Sequence, residues 1–96
     1  MRKLDLYNQL KQEQYKADIE ALKWRIWAIK EKTDGQLRED YNKIAERDES
    51  EAMGIFKACN AILGDYTGKL NDESVALLDK YIEMRSQYRK LKAEVA

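Results

Sequence analysis

The sequence predicts an all-α fold: an antiparallel three-helix bundle with long helices and short turns. Three observations carry that expectation. Proline is absent and glycine occurs only 4 times in 96 residues, so little interrupts a helix. Charged residues make up 38% of the chain and hydrophobic ones 44%, which suits amphipathic helices around a core. Apolar residues recur at spacings of three and four along three stretches separated by glycine-bearing turns. The length fits one helical domain over 1–96, near the lower end of sizes that support an independent core.

The first helix is expected at about 3–32. It stops at "KTDGQ" (Lys32–Gln36), where Gly35 follows the periodic run and Lys30 and Lys32 stand in the last turn, favoured by the helix dipole. The second runs at about 36–65, up to "GDYTGKLND" (Gly64–Asp72). There Asn71 caps a third helix at about 72–95, with Leu70 and Val75 placed as a hydrophobic staple. Short connections make sequential helices antiparallel.

At about 100° per residue, the third helix shows one seam: Leu77, Tyr81, Met84, Tyr88, Leu91 and Val95. The second shows one stripe, from Leu37, Tyr41, Ile44 and Ala45 through Ala52, Ile55, Phe56 and Cys59 to Ile62, Leu63 and Tyr66. Asp48 falls in the centre of that stripe. Because the stripe keeps its phase on both sides, the expectation is a continuous helix with an inward acid, the alternative being that Asp48 caps a new helix after a kink. An inward carboxylate needs partners, and antiparallel register brings Tyr88, Arg85 and Arg89 opposite it as a buried network that fixes register.

The first helix differs. Leu4, Tyr15, Ile19, Leu22, Ile26 and Ile29 form one lobe. Leu6, Leu10, Ala17, Ala21, Trp24 and Ala28 form a second, displaced by about 140° at that angular step, with Lys11, Gln14, Asp18 and Arg25 between them. Two lobes separated by charges suggest two surfaces, one for the home core and one for a second copy, with alanines allowing close approach. Trp27 points elsewhere, among Lys16, Glu20, Lys23, Lys30 and Glu31, where a large aromatic suits an interface. The expected interface is therefore Leu6, Leu10, Ala17, Ala21, Trp24, Trp27 and Ala28.

Chemistry has little to work with. Histidine is absent, which removes the commonest general base and metal ligand. Cys59 lies on an apolar stripe, where a thiol without an activating neighbour is structural, and a lone cysteine excludes an internal disulfide and fits a reducing cytoplasm. The acidic run "ERDESE" (Glu46–Glu51) lies inside a helical pattern and lacks the bent glycine loop of a calcium site. "GDYTGKL" has the wrong spacing and context for a phosphate loop. No catalytic residue, cofactor or metal site is expected.

Lys+Arg and Asp+Glu are both 18, but unevenly placed: residues 1–32 hold eight basic against five acidic groups, a balance of +3, and 33–64 hold four against seven, a balance of −3. These segments attract as neighbouring helices. No apolar run approaches the roughly 20 residues of a membrane span, and the N-terminus is not a signal peptide, so a cytoplasmic location without membrane attachment is expected. The functional expectation is a small non-catalytic interaction protein: an adaptor, assembly factor or stoichiometric inhibitor, phage-encoded ones included, though no motif selects among them. It would form a homo-oligomer, dimer or higher, by coiled-coil-like helix contacts and bind an unidentified protein partner. The alternative is an oligomeric binder sequestering a small anionic ligand such as a nucleotide, since six tyrosines, two tryptophans and many Lys/Arg supply stacking surfaces and donors. Nucleic-acid binding ranks below both, because Arg2, Lys3, Lys11, Lys16, Lys23 and Arg25 are spread around the first helix among acids.

Overall fold

A computed structural model of the chain describes residues 3–62 and 70–95. They form an all-α three-helix bundle, with α1 at Lys3–Lys30, α2 at Gly35–Ile62 and α3 at Asp72–Val95. Its extents are 50 × 21 × 18 Å, and 28 helical residues at 1.5 Å each account for about 42 Å of the long one.

Both helix starts are capped. Asp34 Oδ1 accepts the backbone N–H of Leu37 at 3.0 Å, so Asp34 is the N-cap of α2 and Gly35 is its first helical residue rather than the terminator of α1. The chain is stopped instead by Glu31, whose carboxylate accepts the backbone N–H groups of Thr33 (3.1 Å) and Asp34 (3.0 Å) and the Thr33 hydroxyl (3.0 Å). Those bonds, from Asp34 and then Thr33, hold the exposed carboxyl of Glu31 below its ordinary range. Their support for the turn is present above the usual carboxylate range and lost as pH falls through that depressed value. At α3, Asn71 Oδ1 accepts the backbone N–H of Ser74 at 2.9 Å, the cap that the sequence predicts. Leu63, Tyr66 and the turn around Gly68 lie outside the described residues.

The connectivity places α1 between the other two. It packs against both, more extensively against α2 than against α3, while the described parts of α2 and α3 scarcely approach each other. Trp24 meets Tyr41, and Lys11 meets Phe56, so α1 and α2 run antiparallel. Asn8 holds the start of α3, accepting the backbone N–H of Asn71 (2.8 Å) and the Ser74 hydroxyl (2.9 Å) on one oxygen, while Ser74 is fully buried.

This arrangement corrects the reading of the first helix. The buried residues of α1 run from Ala17, Ala21 and Ala28 through Tyr7 and Lys11 to Tyr15, Ile26 and Asn8. At 100° per residue they cover one continuous arc of about 180°. The two predicted lobes are its edges, and the polar residues between them form its middle. Polarity is tolerated there because the groups satisfy one another along the helix. Lys11 Nζ donates to Gln14 Oε1 at 3.2 Å, and Gln14 Nε2 reaches Asp18 Oδ2 at 3.5 Å.

The packing residues of α2 that are fully covered are small: Ala45, Ala52 and Cys59. They let α2 lie close to α1, and they leave Leu37, Ile44, Ile55 and Ile62 on the flank only half-buried. The seam of α3 is covered no better, with Leu77, Tyr81, Met84, Tyr88 and Leu91 half-buried and Val95 exposed, because only α1 lies against it. Within α2, Gly54 is exposed, and a Cβ built on it meets no atom within 4 Å. Gly54→Ala therefore raises stability by about 1 kcal/mol, by removing backbone entropy from the unfolded chain. Thermal unfolding followed by circular dichroism reads this as a higher Tm.

Candidate interaction surface

Where α1 ends and α2 begins, the hairpin brings three aromatic rings together. The Trp24 and Tyr41 rings lie 5.5 Å apart at a tilt of 30°. Trp27 meets Trp24 at 5.6 Å and Tyr41 at 5.9 Å, edge-on in both cases. Such offset and edge-to-face pairs set the positive ring edge against the negative face. Lys23 Nζ stands 5.6 Å from the Trp24 ring and 5.9 Å from that of Trp27. Trp24 and Tyr41 are half-buried, whereas Trp27 remains 47% exposed. The result is an aromatic ledge held from both helices, with about half of the Trp27 side chain left open.

The predicted interface residues do not form one surface. Ala17, Ala21 and Ala28 are buried within the single chain, so these alanines of the second lobe serve the home core. Leu6 is exposed and Leu10 half-buried, bordering a shallow depression with Gln9 and Gln12. Leu6 lies 18 residues before Trp24, about 27 Å along the helix at 1.5 Å per residue. Only Trp24 and Trp27 come together, and the structure adds Tyr41, which sequence reasoning placed in the core. Register arithmetic could have found it. Trp24 and Tyr41 are equidistant in sequence from the turn at 31–34, so an antiparallel hairpin sets them side by side.

The Asp48 network is not assembled. The helix is continuous through Asp48, as the unbroken stripe predicts, but the carboxylate is only half-buried and Arg85 and Arg89 are exposed. Among the described residues no hydrogen bond or ion pair joins Asp48 to Tyr88, Arg85 or Arg89. The reason is topological: α2 and α3 lie on different sides of α1, so a side chain on the α2 flank does not face α3. Besides Lys43–Glu39 within the helix, the ion pair that α2 makes among the described residues goes to α1. Arg25 donates to Glu49 through Nη2 (2.8 Å) and Nε (3.2 Å), and to Asn42 Oδ1 through Nη1 (2.9 Å). Asp48→Ala accordingly changes stability by less than about 0.5 kcal/mol; chemical denaturation of the two proteins side by side measures it.

Inside the bundle the polar spine of α1 contains the least expected residue. Lys11 is 2% exposed. Its ammonium lies 5.0 Å from the Phe56 ring centroid, 5.7 Å from Tyr7 and 5.8 Å from Tyr15. Three aromatic faces and Gln14 Oε1 thus surround the charge where water does not reach. A turn along, burial pushes the Asp18 carboxyl above its ordinary range; the Gln14 bond opposes this, Glu49 adds to it and Lys11 opposes it. A raised folded-state value means stability that is present below the unfolded value and lost as pH rises through the folded one. Asp18→Asn therefore stabilises the fold at pH 7 by about 0.5 kcal/mol, discounted because solvent reaches this half-buried group. The gain disappears when denaturation is repeated near pH 4. An equal gain at both values would show that ionisation of Asp18 is not its source.

Among the described residues no helix is long and apolar enough to cross a membrane, and no three or more His, Cys, Asp or Glu side chains gather as a metal site. No protein-family model, curated protein sequence or solved structure matches this chain.

Proposed function

We propose that the protein is a non-catalytic interaction module that self-associates and binds through the aromatic ledge of Trp24, Trp27 and Tyr41. The observation that carries the reading is Trp27, an indole held edge-on against Trp24 and Tyr41 and still 47% exposed, the largest of the exposed apolar side chains among the described residues. Tryptophan and tyrosine are the residues most enriched at the energetic centres of interfaces, and rings fixed before binding lose little entropy when they dock.

The incompletely covered apolar flank of α2 supports a second copy as the occupant. The half-buried flank of α2 begins beside the ledge, with Leu37 and Ile44 one turn either side of Tyr41. Two copies related by a two-fold axis would bring ledge against ledge and continue the contact along that flank. Absence of histidine and the structural placement of Cys59 favour steric, non-covalent action over catalysis.

Light scattering on a size-exclusion column tests the reading. The wild-type chain is expected above its 11.3 kDa monomer mass, and Trp27→Glu at that mass with unchanged helical content. A wild-type protein that stays monomeric at millimolar concentration contradicts self-association.

A further inference from the structure

A cleft of about 500 Å³ opens at the end of the bundle that carries the α1–α2 turn, because α2 and α3 do not close over α1 there. Its two sides differ in chemistry. One is apolar, made by Ala28, Ile29, Val95 and the ring of Tyr88. The other carries Lys32, Arg38 and Asn42. Arg38 is oriented by its own Nε, which donates to the Glu31 carbonyl oxygen at 2.9 Å. Among the described residues, its two terminal nitrogens, the Lys32 ammonium and the Asn42 amide nitrogen donate no hydrogen bond. The lining also holds Glu31, whose carboxylate accepts the N–H groups of the turn and keeps its charge beside Arg38, and Arg25, which is paired with Glu49 and bonded to Asn42 Oδ1. With Arg25 so paired, Lys32 and Arg38 against Glu31 leave one net positive charge in the cleft.

We infer that this cleft binds a small amphipathic monoanion, its headgroup on Arg38, Lys32 and Asn42 and its aliphatic body against Ile29, Val95 and Tyr88. A planar carboxylate matches the two parallel donors of a guanidinium, and the nearby ammonium adds charge without demanding geometry. The volume falls within the range of small-molecule sites, and an apolar lining with a few convergent polar groups is their usual construction. The proposal does not rest on the aromatic ledge, since none of Trp24, Trp27 and Tyr41 lines the cleft.

Octanoate is the probe, titrated into the full chain and followed by amide and side-chain NMR shifts, with octanol and inorganic phosphate as controls. Expected are saturable shifts at Ile29, Arg38, Tyr88 and Val95, at least tenfold weaker binding of octanol and of phosphate, and at least tenfold weaker octanoate binding by Arg38→Gln. Lys32→Gln is the second variant. Its side chain is exposed and unbonded, so its fold is not at issue, and a several-fold loss is expected. The inference is overturned by octanoate shifts that do not saturate or map elsewhere. It is also overturned by phosphate binding as well as octanoate, or by both variants binding like wild type. If octanoate only converts oligomer to monomer, a second copy occupies the cleft, which likewise overturns it.

Discussion

Lys11→Ala is expected to be strongly destabilising for a charged residue, lowering stability by about 3 kcal/mol. Two losses combine. The four-carbon stem of a residue that is 2% exposed leaves a void between α1 and α2. The ammonium also leaves three rings at 5.0 to 5.8 Å and the Gln14 oxygen, which then sit in a dry interior without the charge they were arranged around. For a domain of this size, about 3 kcal/mol corresponds to a fall in Tm of roughly 12–24 °C. Lys11→Met separates the two losses, since it fills most of the space without the charge, and it should lose less than half as much. If Lys11→Ala unfolds within a few degrees of wild type, the side chain is in water and the polar spine is not the interior of the bundle.

The second large effect concerns association rather than folding. Trp27→Glu leaves the chain folded, because the indole is 47% exposed and its partners Trp24 and Tyr41 keep their own contact at 5.5 Å. The expected folding loss is about 1 kcal/mol or less, the value of its edge-on ring pairs. At a central interface position, truncating a tryptophan costs about 2 kcal/mol or more, roughly thirtyfold in Kd, and a desolvated carboxylate adds to that. Association should therefore weaken by far more than folding. Should Trp27→Glu lower Tm strongly while leaving the oligomer intact, Trp27 is a core residue and the ledge has no role in binding.

Much of the fold was legible in the chain. Missing proline and scarce glycine dictated long helices, the spacing of apolar residues counted three of them, and Asn71 marked the start of α3 to the residue. What misled was the treatment of polar side chains as markers of solvent. Lys11, Gln14 and Asp18 form a bonded ladder in the middle of the buried arc of α1, and a one-dimensional pattern does not say that neighbours on the same face satisfy each other. Asp48 failed in the opposite direction. Its place in an apolar stripe implied burial, but α2 turns its small residues, Ala45, Ala52 and Cys59, to α1 and leaves the larger apolar ones half-covered. That choice follows from close helix approach, which a hydrophobicity pattern cannot weigh against side-chain size. The ledge was half legible: both tryptophans stood out by their surroundings, and Tyr41 required the hairpin register.

The central claim is that Trp27 is open in the single chain and covered when chains meet. Trp24→Phe leaves Trp27 as the only tryptophan, and quenching of its fluorescence by acrylamide can be followed from micromolar to millimolar protein. Strong quenching at low concentration that falls along a saturable curve, in step with the rise in mass, is the predicted result. An indole equally open to the quencher at both ends of that range would contradict the claim.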